Sequence, residues 1–460
     1  MVNNMKEDII KKCNYSKDIM TRTIKKDNYI IEIIFCETLI NSSDIEKYIL
    51  KPLNRNEKNI KNIITTGNIK EVKNIDDATK ELFLGSTIII INNNEIISVE
   101  TKAYLDRSIK ESETEGSIIG PKDSFNENFN TNIGLIRKRI RNNNLILNTL
   151  TLGHESKTKI GILYMNNIVD KTLLNKVTKK LNSIENDIIS DGSYIKEQLS
   201  KRSLFPEVNQ TERPDLTSFA LLEGKIAIIV DNSPTVIIVP VFFIDFFHTA
   251  DDYYQKNINV SFTRLLRFMA FLIAIFLPGY YISITTHNPT SIPSNLLLKL
   301  IEQHTTVPFP AFFEILIMTI AFEILRESDI RIPTKVGSSA SILGGLILGD
   351  AAVSAGIISP IMIIVVALSS IAAYVFSYSA IVYLIRYYRF IVLILGTLFG
   401  LFGMFIGFSI LIANISSITS FDYPYTYPFV PFIKEDIDDS IIKIKGLNTR
   451  NPLLTKKRNR

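Results

Sequence analysis

The sequence predicts a membrane protein in two parts. An α/β two-lobed cytosolic N-terminal domain comes first, and a multi-helix transmembrane domain of about four to five transmembrane or re-entrant helices follows, ending in a short polar C-terminal tail. Three observations lead there. Of 51 Lys+Arg and 46 Asp+Glu, only 14 charged residues fall between Arg264 and Ile415. Three runs in that stretch, 268–298, 351–385 and 391–421, carry no charge, and each exceeds the roughly 20 apolar residues that span a bilayer. Arg264 and Arg267 stand just before the first run, which by the positive-inside rule puts the polar half on the cytosolic side.

The expected divisions are a first α/β lobe over 1–110, a polar linker over 111–149, a second α/β lobe over 150–255, the transmembrane domain over 256–420 and the tail over 421–460. Residues 1–20 are polar, with neither the apolar core nor the small-residue cleavage site of a secretory signal. In the first lobe, 29–35 and 87–91 read as strands, and Asn92-Asn93-Asn94 before 95–99 signals a hairpin. Residues 44–64 and 75–83 carry helical spacing. The linker ends in the basic run Leu135-Ile136-Arg137-Lys138-Arg139-Ile140, read either as a helix face in water or as a contact surface for lipid or a partner. In the second lobe a strand over 159–164 precedes a helix over 170–184 with Asp170 as its N-cap, and 225–230 with 235–240 form a second hairpin.

The membrane half reads as a span over 268–284, a loop, a segment over 309–325 and a basic loop with Arg326, Arg331 and Lys335. The apolar stretch 336–385 is broken at Gly349-Asp350 and Pro360, giving either a full hairpin or a re-entrant half-helix and one crossing. Arg386 and Arg389 then precede a last span over 391–415, and four net crossings are expected.

No enzyme signature is present: no paired zinc-ligand histidines, no phosphate-binding loop, no nucleophile elbow. The histidines are scattered, Cys13 and Cys36 form no ligand pattern, and no catalytic residue, metal or cofactor is expected. A net charge of +5 gives no support to nucleic-acid binding. Acids in a membrane segment normally face water or a bundle interior, which singles out Glu314, Glu323 and Asp350. Glu314 and Glu323 lie nine residues apart and so point to opposite helix faces. Asp350, near the small-residue run containing Ser338 and Ser341, is the leading candidate for an ion path, the alternative being an acid at a helix break near the headgroups. The Gly-x-x-x-Gly pairs Gly345/Gly349, Gly396/Gly400 and Gly403/Gly407 predict close helix packing, within one chain or between subunits.

Three blocks of residues resemble one known family, the A subunits of GerA-type spore germinant receptors. The first holds Gly120-Pro121, Phe125, Glu127, Asn132 and Arg137-Lys138-Arg139; the second, Phe205-Pro206, Thr211-Glu212-Arg213-Pro214-Asp215 and Glu223-Gly224. The third runs from Val307-Pro308-Phe309-Pro310 through Phe322-Glu323-Ile324-Leu325-Arg326-Glu327 to Gly349-Asp350 and Ser359-Pro360. Ile119 departs from the arginine usual before Gly-Pro, and Ser328-Asp329 from a small pair. The resemblance implies a receptor in the spore inner membrane, built with B and C subunits, in which the A subunit self-associates, as a ring proposed to be pentameric, and forms or gates an ion-release channel on nutrient binding. A non-conducting scaffold that docks the other subunits, or a secondary transporter, are the alternatives.

Overall fold

Isoleucine and valine fill the strands of the polar half, and β-branched side chains on a pleated sheet leave two apolar faces to be covered. The computed structural model describes residues 5–26, 29–53, 64, 68–103, 115–116, 119–200, 203–305, 307–331, 345, 347–376, 379–437, 439–443 and 453–454. The first lobe runs α1 (Met5–Lys12), β1 (Ile19–Lys26), β2 (Tyr29–Cys36), α2 (42–53), β3 (Ile69–Val72), α3 (Ile75–Phe83), β4 (Ser86–Ile91) and β5 (Glu95–Glu100). Its sheet has the order β1-β2-β4-β5-β3, antiparallel throughout. Helices α1 and α3 cover one face, where Ile9, Leu82 and Phe83 meet Ile34, Ile88 and Ile90. Helix α2 covers the other through Ile45 and Ile49 against Ile31, Ile33 and Ile89.

The second lobe runs α4 (Phe129–Arg139), β6 (Leu145–Leu152), β7 (Thr158–Met165), α5 (Lys171–Asn182), α6 (Gly192–Leu199), β8 (Asn209–Thr211), α7 (Pro214–Leu222), β9 (Ile226–Val230) and β10 (Val236–Val239). Its order, β6-β7-β9-β10-β8, repeats the first lobe strand for strand, again antiparallel.

The central strands and the helices over 75–83 and 170–184 lie within a few residues of expectation. Asn92 and Asn93 take positive φ (47° and 53°) in the first hairpin turn, and Asp170 caps α5 by accepting from the Thr172 amide at 2.8 Å. The helix expected over 44–64 is seen to Leu53; residues 54–63 lie outside those described. Residues 111–149, read as linker, contain α4 and the start of β6. The basic run at the end of α4 divides: Ile133, Leu135 and Ile136 are buried in the second lobe and Arg137 is buried against the first, while Lys138 is exposed and Arg139 partly so.

Beyond the lobes come α8 (Asn257–Ile282), which continues through a π-turn to His287, then α9 (Ser294–Thr305), α10 (Ala311–Arg331), α11 (347–354) and α12 (Pro360–Ala373). The last helical segment, Ser379–Ser417, is not one rod. At Gly400 (φ 61°, ψ −141°) the chain folds back, giving α13 (379–399) and α14 (401–417). Two contacts require the reversal: a Cβ on Gly407 would lie 3.0 Å from Val392 Cγ2, and Asn414 Nδ2 donates to the Tyr388 hydroxyl at 2.6 Å. In a straight helix those last two residues would be roughly 39 Å apart. The single span expected over 391–415 is thereby corrected to an antiparallel helix pair, and Arg386 and Arg389 lie inside α13 rather than ahead of the last span. Among the described residues two helical segments, Asn257–His287 and Ala380–Ser417, are long and apolar enough to cross a membrane. Helix α12, with 14 residues, is too short at roughly 21 Å.

The tail returns to the second lobe. Tyr425 is fully buried, its carbonyl accepts from the Phe243 amide at 2.9 Å, and its hydroxyl donates to the Pro206 carbonyl at 2.9 Å. Ser420 Oγ donates to the Glu207 carbonyl at 3.0 Å, and Leu454 lies against Gly224. One apolar cluster therefore joins the second lobe, α8, α13, α14 and the tail.

Candidate functional site

Three polar nodes organise the molecule, two where separate parts of the chain meet and one inside the bundle. The first joins the lobes. Arg137 reaches from α4 into the first lobe and donates to both Asp18 oxygens, from Nε at 2.9 Å and Nη2 at 3.0 Å. Its guanidinium also stacks over Phe83 at 4.9 Å and bonds Ser16 Oγ at 3.1 Å. Burial pushes the Asp18 carboxyl up, but Arg137 outweighs it and holds the group below its usual value.

Within the second lobe, two of the sequence blocks meet. Arg213 makes a bidentate pair with Asp215 and binds the carbonyls of Glu115 and Pro121 at 3.2 and 3.0 Å. The Tyr254 hydroxyl completes the Asp215 site at 2.8 Å. Ile119, where the family's arginine is missing, leaves its amide 3.5 Å from the Asp251 carboxylate.

The second node joins lobe, bundle and tail at the start of α8. Asp252 accepts from Arg264 Nε at 3.1 Å and from Arg267 Nη1 at 2.7 Å, while its carbonyl accepts from Lys443 at 2.7 Å. Arg264 is 1 % exposed and also donates to the Asp439 carboxylate at 2.9 Å and the Ser440 carbonyl at 3.0 Å. His248 Nε2 donates to the same Ser440 carbonyl at 2.9 Å. Desolvation raises the Asp252 carboxyl, yet the two guanidiniums prevail and hold it at about 2. His248 is pushed well below its ordinary 6.5, by burial first and by Arg264 second. The two arginines that sequence reasoning took for interfacial charges are thus the fasteners of three segments. Asp439, Ser440 and Lys443, their tail partners, carried no signal at all.

The third node lies inside the bundle. Glu314, fully buried, accepts from the Ser359 amide at 2.8 Å, so a carboxylate on α10 caps the N-terminus of α12. Glu323 pairs with Arg386 at 2.8 Å and Arg389 at 3.6 Å. Arg389, 2 % exposed, also donates to the carbonyls of Ala274 on α8 at 2.8 Å and Ser369 on α12 at 3.0 Å, tying α13 to three other helices. The nine-residue separation of the two acids sends them to different partners, as the helix rotation requires. Asp350 is exposed on α11. Ser338 and Ser341 lie outside the described residues.

The glycine pairs divide. A Cβ on Gly396 would meet Ser283 Oγ at 2.8 Å and the Gly279 carbonyl at 2.9 Å; one on Gly403 would overlap the Leu395 carbonyl. Gly396, Gly400, Gly403 and Gly407 therefore pack α13 onto α8 and α14 onto α13 within one chain. Gly279, which belongs to no Gly-x-x-x-Gly pair, is the partner of Gly396. Gly345 and Gly349 make only ordinary contacts, at 3.9 Å to Leu325 and 3.7 Å to Ile363.

The chain is 34% identical over 449 residues to spore germination protein KA of Bacillus subtilis (strain 168), covering 94% of this chain and 82% of that protein. It is 33% identical over 463 residues to spore germination protein GerQA of Bacillus cereus, covering 99% and 93%. It is 30% identical over 422 residues to the uncharacterised membrane protein YfkQ of Bacillus subtilis (strain 168), covering 89% and 82%. Among solved structures it matches the N-terminal domain of the A subunit of the Bacillus megaterium spore germinant receptor GerK3, with 27% identity, a TM-score of 0.41 and coverage of 52% of this chain and 93% of that one. The family model described as Bacillus/Clostridium GerA spore germination protein matches residues 7–452. By that match, and by relatives above 30% identity over 82% and 93% of their length, this chain belongs to the GerA spore germination protein family.

Proposed function

We propose that the chain is the A subunit of a nutrient germinant receptor in the spore inner membrane and takes part in ion release when the spore germinates. The observation that carries this reading is the family match over residues 7–452. It works with B and C subunits and with further copies of itself, and it performs no catalysis. The lobes sit on the cytosolic, spore-core side. Helix α8 crosses outward, α10 returns, α11 and α12 form a re-entrant pair, and α13 and α14 cross out and back, making four net crossings. The tail's bonds to the second lobe support that count, since they put both ends of the bundle on one side.

Nutrient bound on a partner subunit shifts the population of bundle arrangements rather than acting through a bond of its own. The node of Asp252, Arg264, Arg267 and Asp439 is the mechanical link, because a displacement of the second lobe there moves α8 and the tail together. Since Glu314 and Glu323 are committed to partners inside the chain, Asp350 remains the acid open to an ion path between copies. The same commitments favour a second reading, a scaffold that docks B and C and conducts nothing.

Reconstitution of the A, B and C subunits in liposomes tests both. Nutrient-triggered ion flux that changes in Asp350→Ala, with assembly intact, is the expected result. Flux unaltered by that substitution removes Asp350 from the path, and no flux from intact assemblies establishes the scaffold.

A further inference from the structure

We propose that Arg326 and Arg386 form a binding site for the phosphate of an anionic phospholipid headgroup at the rim of the bundle nearest the second lobe. The site goes beyond ion release and rests only on the reading that the bundle lies in a membrane.

Charge is the first ground. Arg326, Arg386 and Arg389 cluster around Glu323, which pairs with the last two at 2.8 and 3.6 Å. Arg326, one turn nearer the end of α10, stacks over the Tyr374 ring at 5.1 Å and makes no ion pair among the described residues, with the exposed Glu327 beside it. Three guanidiniums around one partly exposed carboxylate leave a surplus of positive charge at the protein surface. A surplus of that kind is relieved by binding an anion.

The donor geometry is the second ground. Arg386 keeps 26% of its side-chain surface exposed while its Nη2 lies 2.8 Å from Glu323 and its guanidinium 5.3 Å from the Tyr383 ring, so part of the fork still faces outward. Phosphate oxygens suit the planar fork of an arginine.

Position favours a lipid over a soluble anion. Phe376, two residues past Tyr374, packs edge-on to Phe247 of the second lobe at 5.6 Å, so the cluster lies at the level where lobe and bundle meet. Tyr374, Tyr383 and Tyr387 are each about half exposed around it, the arrangement of an interfacial aromatic belt. Directly along α10 and α12, Ile324, Leu368 and Ile371 present exposed apolar surface on which acyl chains can lie below the phosphate.

Native mass spectrometry of the full chain, extracted from membranes of phosphatidylcholine mixed with phosphatidylglycerol, reads the site directly. The expected result is retained phosphatidylglycerol, reduced about tenfold in Arg326→Gln and in Arg386→Gln, as loss of one charge-assisted hydrogen bond implies. Arg326→Gln leaves the Glu323–Arg386 pair untouched, so it decides the matter if Arg386→Gln does not fold. Equal retention by the wild type and Arg326→Gln, equal retention of phosphatidylcholine, or displacement of the lipid by inorganic phosphate would each overturn the proposal. None of these outcomes bears on nutrient-triggered flux, which is measured separately.

Discussion

Asp252 gathers Arg264, Arg267 and the chain of Lys443 onto one carboxylate and one carbonyl, and its own depressed carboxyl shows that attraction there exceeds the cost of burial. His248, next to it, donates to Ser440 and has no room for a charge beside Arg264. In the folded state it stays neutral well below 6.5, whereas in the unfolded chain it takes up a proton near 6.5. Its contribution is therefore complete above that pH and declines as pH falls beneath it. Thermal unfolding of the detergent-solubilised protein is expected to shift to lower temperature between pH 6.5 and 5, and His248→Gln to flatten that dependence. A residue-scale reading of sequence reached Arg264 and Arg267 because cations before an apolar run have one common explanation. It missed Asp439 and Ser440, since a partner 175 residues away leaves no local pattern.

Elements were legible where their interior was. Strand β4 is buried along its full length and reads as Thr-Ile-Ile-Ile-Ile, while β1, with Thr-Arg-Thr-Ile-Lys-Lys, pairs on one side only and looks like a polar loop. Edge strands carry such charges to discourage pairing with other chains, so their composition conceals them. Helix α4 misled for the opposite reason: its basic end suggests water, yet Arg137 and Asp18 neutralise each other inside the protein. The turn at Gly400 was hidden because no proline or charge marks it and the chain carries no charge on either side of it from 391 to 421. Gly396 carries the prediction here. Gly396→Val places new atoms against Ser283 and the Gly279 backbone, which cannot withdraw, and is expected to cost about 1–3 kcal/mol of stability by overpacking. Gly349→Ala, facing Ile363 at 3.7 Å, serves as the near-neutral comparison in the same unfolding assay.

At the scale of the whole molecule, two lobes of one topology are locked to each other by Arg137 and Asp18, and the second is fused to the bundle through a continuous apolar cluster. The sequence revealed two α/β lobes but not their duplication, because the shared strand order is realised with different residues and helix counts. The tail, expected as a polar appendage, is a strap whose buried Tyr425 closes the lower face of the second lobe. The proposed topology makes one claim about the assembled chain: its apolar half enters a bilayer at α8 and returns to the side it left. Glu185, Thr290 and Phe432 are exposed on the second lobe, at the far end of α8 and on the tail. Single-cysteine variants Glu185→Cys, Thr290→Cys and Phe432→Cys, probed in intact cells with a membrane-impermeant maleimide, test it; Cys13 and Cys36 are buried and contribute little background. Labelling of Thr290→Cys alone, with the other two reacting only after permeabilisation, is the predicted result; Phe432→Cys labelling together with Thr290→Cys, or all three behaving alike, would contradict the account.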